Sequence, residues 1–134
     1  MRTNEFVVAR THRDFLNEVL DLNLGGYQKS SKMLDDGKLL WMIRLDGEAS
    51  KAGWRNYMES PEKLIEEHIE RDYLYQNHHT YVGSGKDFED RVVFDVVEYG
   101  ASRKYIFRGV FRLDKEKCTF NRNVWYKISD KYVF

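Results

Sequence analysis

Cysteine and proline are nearly absent from this chain, with a single copy of each. A lone Cys118 can close no internal disulfide and cannot build a Cys-rich zinc site, so a reducing compartment is expected. Long hydrophobic runs are missing too. The longest, Leu39 to Ile43, is far short of the roughly 20 residues of a membrane helix. The N-terminus, MRTNEF, has no apolar signal segment, and a soluble, cytoplasmic domain without membrane contact is expected. Net charge is absent as well: 22 basic side chains balance 22 acidic ones, which argues against indiscriminate polybasic binding. What the sequence does have is aromatic residues, eight Phe, nine Tyr and three Trp, enough to bury a core and exclude a disordered chain. At 134 residues one domain, 1–134, is expected.

The balanced charge is uneven along the chain. Residues 1–58 carry nine basic and eight acidic side chains. Residues 59–98 carry four and eleven, a net of −7, and residues 99–134 carry nine and three, a net of +6. A local basic face and a rival acidic one are both available, unless the two segments fold against each other.

Element signals follow in order. Thr11 is a helix N-cap ahead of Phe15, Leu16, Val19 and Leu20 at helical spacing, which predicts a helix over 12–22. Tyr27 to Leu34 suits a strand, Asp35-Asp36-Gly37 a turn, and Leu39 to Leu45 a strand buried on both faces. Residues 46–58 read as a loop ending in a short strand. Ser60-Pro61, followed by Leu64, Ile65, His68, Ile69 and Leu74, predicts a second helix to about residue 74, with His68 a structural histidine. Arg91–Tyr99 and Lys104–Leu113 form a long antiparallel hairpin, in which Gly109 between Phe107 and Phe111 marks a bend. A charged loop over 114–121 precedes a last strand over 124–128. The sum is an α+β fold, a strongly curved antiparallel sheet or small β-barrel with two helices.

Catalytic motifs fail on inspection. Gly83-Ser84-Gly85-Lys86 lacks the P-loop's earlier glycine, where Thr80 stands, and its Ser or Thr after the lysine, where Asp87 stands. Tyr81-Val82-Gly83 with Arg91 resembles only half of a GIY-YIG nuclease signature. His68-Ile69-Glu70 lacks the Pro-Cys-x-x-Cys half of a zinc deaminase. Adjacent His78 and His79 would point to opposite faces of a strand, and Asp95 and Glu98, which read as solvent-side, lack the lysine of a PD-(D/E)xK nuclease. No catalytic residue, metal ligand or cofactor is assigned, and a noncatalytic role is expected.

Two features point to nucleic acid. Lys104, Arg108 and Arg112 recur every fourth residue on one strand face, about 13 Å apart, a spacing that suits separate backbone phosphates. They equally suit a strand protected from edge aggregation. In Ser50-Lys51-Ala52-Gly53-Trp54-Arg55-Asn56-Tyr57, the rings of Trp54 and Tyr57 can stack on bases while Lys51 and Arg55 hold phosphates, although Trp54 could instead close a core. Trp41 and Trp125 lie within apolar strand patterns and read as core.

The segments LLWMIRLDGEASKAGWRNYM and RVVFDVVEYGASRKYIFRGVFRLDKEK together resemble small curved-sheet domains found beside nuclease domains in bacterial restriction proteins, and more widely PUA-like reader folds. The resemblance implies a noncatalytic module that binds DNA or RNA, with an aromatic pocket for an extruded modified base. Unlike those proteins, this chain carries no nuclease domain, so it would act alone, with a partner, or as part of a larger protein. The alternative is a protein-interaction module, an inhibitor or subunit docking through an acidic surface that includes Glu66, Glu67 and Glu70.

Overall fold

The computed structural model describes residues 1–69, 90–119 and 121–134. These form two compact units: residues 1–43, 91–110 and 129–134, and residues 44–90 with 111–128.

In the first unit the described elements are β1 (Phe6–Ala9), α1 (His12–Leu20), β2 (Ser31–Met33), β3 (Leu39–Ile43), β6 (Arg91–Tyr99) and most of β7 (Ser102–Leu113). Thr11 caps α1 as its sequence suggests, its Oγ1 accepting from the Asp14 N–H at 3.1 Å. The helix, expected over 12–22, runs His12–Leu20 and is capped at Asp21. Asp21 turns left-handed, φ 52, and its N–H closes onto the Asn17 carbonyl. The Asn17 side chain then secures Leu24, accepting from its N–H at 2.8 Å and donating to its carbonyl at 3.2 Å.

Phe15 and Leu16 enter the sheet with no exposed surface. Phe15 stacks on Tyr105 with centroids 4.2 Å apart and meets the edge of Phe94 at 4.8 Å. Such contacts add about 0.5–1.5 kcal/mol each beyond area burial. Leu40, Met42, Val92, Val96, Phe107 and Val110 complete this core. The predicted turn holds, with Gly37 at φ 87 and the Leu34 N–H bonded to the Lys38 carbonyl at 2.8 Å. The strand expected over 27–34 is confined to β2.

The sheet order is β2-β3-β6-β7, with β1 on β7. β1 and β2 pair antiparallel with their neighbours, but β3 runs parallel to β6, Leu40 opposite Val92 and Met42 opposite Phe94. The purely antiparallel expectation is therefore corrected to a mixed sheet. Parallel neighbours require a long crossover, and the chain between β3 and β6, residues 44–90, supplies it. No local sequence pattern announces such a pairing.

The second unit contains β4 (Trp54–Ser60), β5 (Lys63–His68) and β8 (Arg122–Ser129), with the end of β7. Here the second predicted helix is corrected: residues 63–68 are a strand, antiparallel to β4 on one side and to β8 on the other. The part of that helix beyond residue 69 lies outside the described residues. Ser60-Pro61 is as good a turn as a helix start, because the proline φ suits both. Ser60 Oγ accepts from the Glu62 N–H at 3.3 Å. Burial of adjacent Leu64 and Ile65, both fully covered, rewards a strand buried on two faces. Among the described residues neither unit's strand path closes on itself, so the barrel form of the fold expectation gives way to open sheets. One α-helix, not two, is present among them.

The β6–β7 hairpin is as read from the sequence, with Gly100 at φ 59 in its turn. Gly109, at φ 125, marks the bend. Tyr105 and Phe107 belong to the first core. After Gly109 it is Val110, one position out of alternation, that stays in it.

Candidate nucleic-acid interface

β4 begins at the glycine-bearing turn that carries the candidate stacking residues. Gly53 has φ 91, and a Cβ there would lie 2.7 Å from His68 Cε1. The backbone can pass the imidazole only without a side chain. His68 is 4% exposed, and its Nε2 lies 2.8 Å from the Ala52 carbonyl oxygen. It is a satisfied structural histidine, as expected, but on a strand. Trp54 is half-buried and stands edge-on to His68, centroids 4.9 Å apart at 88°.

Because residues 54–60 are a strand, alternation separates the four residues read together from the sequence. Trp54, Asn56 and Met58 project to one face, and Arg55 and Tyr57 to the other. On that second face Arg55 meets Glu67 at 3.1 Å. Burial, then a hydrogen bond to Glu67, pushes the half-buried Tyr57 phenol above its ordinary pKa. Lys51 is exposed in the turn.

The three basic residues of β7 are engaged. Lys104, in the first unit, lies over the rings of Tyr99 and Phe6, at 4.4 and 4.6 Å. Arg108 donates to Asp95 at 3.2 Å and to Asn4 at 2.9 Å. Asp95 is thus buried rather than solvent-side, at 9% exposure. Arg112, in the second unit, holds Asp90 through two bonds of 2.9 and 3.0 Å. Those bonds and the Asp90 charge raise its pKa further. The acidic candidates are also occupied: Glu67 by Arg55, Glu66 as described next, while Glu70 lies outside the described residues. Gly83 to Lys86, His78 and His79 lie outside them too.

The sequence reading missed a polar row across the second unit's sheet. Register sets Asn56 opposite Glu66 and Glu66 opposite Asn123, three polar side chains abreast on three strands. Glu66 Oε1 accepts from Asn123 Nδ2 at 3.1 Å and from Trp125 Nε1 at 3.3 Å. The Oδ1 atoms of Asn56 and Asn123 are buried and have no hydrogen-bond partner. Each such orphan costs about 1–3 kcal/mol, which a fold does not accept without return. The same face carries Trp54 and His68 one row away, and Leu64 and Trp125 one row away on the other side. Trp41 and Trp125 are core residues as expected, 5% and 2% exposed.

Residues 1–134 match the family model described as the SET and RING associated (SRA) domain. The chain belongs to the SRA family. The SRA domain is a PUA-like module that binds DNA and takes up a modified, flipped cytosine, so the chain is a nucleic-acid-binding reader module. The resemblance to reader domains of restriction proteins stands. Among solved structures, the 5-hydroxymethylcytosine-specific restriction enzyme AbaSI shares the fold with a TM-score of 0.67 at 20% identity. The likeness covers 92% of this SRA domain and 39% of the AbaSI chain, so the domain spans about two fifths of that protein. No curated protein matches it. No helix among the described residues is long and apolar enough to cross a membrane.

Proposed function

We propose that this SRA domain recognises a cytosine modified at its 5-position in double-stranded DNA and does no chemistry on it. The observation that carries the reading is the family match over residues 1–134. Trp54 is the candidate stacking ring: it is half-buried and opens a strand at a turn that only glycine can make. Tyr57 on the opposite face of β4 supports a second contact. Lys51, Arg55, Lys104, Arg108 and Arg112 are the candidates for phosphates. The three arginines are already paired with carboxylates, yet each guanidinium has donors beyond those one carboxylate uses. The specificity in AbaSI's name makes 5-hydroxymethylcytosine the first modified base to test.

The test is binding to duplexes identical except for one cytosine, unmodified or modified, at fixed salt. Modified duplex binds more tightly, and Trp54→Ala reduces that preference about 5- to 150-fold, the range of a lost base–aromatic stack. Equal affinity for all duplexes in the wild-type protein would overturn the reading.

A further inference from the structure

We propose that β1 is a self-association edge. Two copies of this domain pair antiparallel through Phe6 and Val8, joining their first-unit sheets across a two-fold axis.

β1 has β7 on one edge and no described strand on the other. The Phe107 N–H donates to the Glu5 carbonyl at 2.9 Å, and the register continues with Val7 opposite Tyr105 and Ala9 opposite Arg103. Antiparallel alternation then aims the backbone N–H and C=O groups of Val7 and Ala9 at β7, and those of Phe6 and Val8 outward. Such an edge is a template for another strand, and proteins usually blunt it with charge or proline. This one reads Phe-Val-Val-Ala.

The face beside that edge is apolar as well. Phe6 and Val8 are 51% and 42% exposed, and on β6 Val97 and Tyr99 are 39% and 51% exposed. The Lys104 ammonium lies over the rings of both Phe6 and Tyr99, which joins these residues into one face across β1, β7 and β6. A contiguous exposed patch of this kind marks an interaction surface.

Charge and register both favour a second copy as the occupant. Exposed Glu5 and Arg10 flank the strand, one at each end. Glu5 Oε1 accepts the Arg2 N–H at 2.7 Å, which holds the carboxylate at the start of the strand. Antiparallel pairing sets the acidic end of each copy against the basic end of the other, whereas parallel pairing would stack like charges. With Phe6 opposite the partner's Val8, both residues of the pair direct their backbone groups outward, so each donates and accepts one bond. The axis stands normal to the sheet, so the two apolar faces become continuous on one side. A strand of 4 residues buries little area, so this dimer belongs to the weak, reversible class.

The experiment is sedimentation of the domain from about 10 µM to about 1 mM, where a monomer–dimer equilibrium is expected. Val8→Lys places an ammonium group on the edge and weakens dimerisation at least about tenfold. Glu5→Lys and Arg10→Glu each weaken it at least about twofold, and the variant carrying both returns to within about twofold of wild type. Amide hydrogen exchange at Phe6 and Val8 slows as concentration rises, while that of Val7, already bonded to β7, does not change. A wild-type protein still monomeric at the top of the range overturns the proposal and leaves the face to a different partner. Dimerisation unaffected by Val8→Lys places the contact elsewhere and overturns it too, as does a double charge variant no better than the single ones. Should Val8→Lys not fold, the charge-swap series and the exchange of Phe6 and Val8 decide.

Discussion

Gly53 shows how a single residue can hold the site. Its φ of 91 belongs to a region that residues with a Cβ seldom adopt, and the space a Cβ would need is filled by His68. The imidazole cannot yield freely, because its Nε2 is bonded to the Ala52 carbonyl and its ring meets Trp54 in a T-shaped contact. Gly53→Ala therefore combines backbone strain with loss of a buried hydrogen bond. We expect a destabilisation of about 2–4 kcal/mol in urea unfolding. Tryptophan emission should shift as Trp54 loses its packing partner. A change below about 0.5 kcal/mol, the level of an ordinary surface substitution, would show that the turn relaxes around the new side chain.

At the level of elements, what could be read from the sequence divides along physical lines. Local signals were legible: the Thr11 cap, the Asp35-Asp36-Gly37 turn, the β6–β7 hairpin and the bend at Gly109. Each is set by a few adjacent residues and survives any tertiary context. The parallel β3–β6 pairing and the strand at 63–68 were not, since Leu64 and Ile65 choose a strand only when β4 and β8 flank them. Reading that segment as a helix also hid the candidate site's polar row, for Glu66 meets Asn56 and Asn123 only through strand register. Trp54 was legible as an aromatic in a polar setting; its separation from Tyr57 by strand alternation was not.

The C-terminal segment offers an element-scale test. The Tyr132 hydroxyl donates to Asp36 Oδ2 at 2.6 Å, fastening the tail to the β2–β3 turn. Burial pushes the Asp36 carboxyl up. Its hydrogen bonds from Tyr132 and from the Lys38 N–H, with the Lys38 charge, outweigh this and hold it below 3.8. Burial and Asp36 together raise the Tyr132 phenol above 10.0. A lowered carboxyl stabilises the fold above its unfolded pKa, and that contribution is lost as pH falls through the folded value. A raised phenol stabilises below its unfolded pKa, and that contribution is lost as pH climbs toward the folded one. The stability gap between wild type and Tyr132→Phe should thus be widest between about pH 4 and pH 10 and close at both ends. NMR titration should show the Asp36 pKa rising toward the ordinary value in the variant. A gap independent of pH would mean that the phenol contributes packing alone.

For the whole molecule, zero net charge bears on how the domain holds DNA. Each phosphate neutralised steepens the fall of log K with log salt by about 0.9. If Lys51, Arg55, Lys104, Arg108 and Arg112 all met phosphates as free cations, the slope would approach about −4.5. Three of them already face carboxylates, Arg55 with Glu67, Arg108 with Asp95 and Arg112 with Asp90. A phosphate there must share or displace an internal partner, so the observed slope should stay shallower than that limit. Asp95→Asn removes the charge facing Arg108 while keeping the shape of the side chain. If Arg108 borders the DNA, this variant should bind more tightly at low salt and steepen the slope by up to about 0.9, and Arg108→Ala should flatten it. Slopes unchanged in both variants would assign the Arg108–Asp95 pair to fold stability and leave backbone contact to the remaining basic side chains.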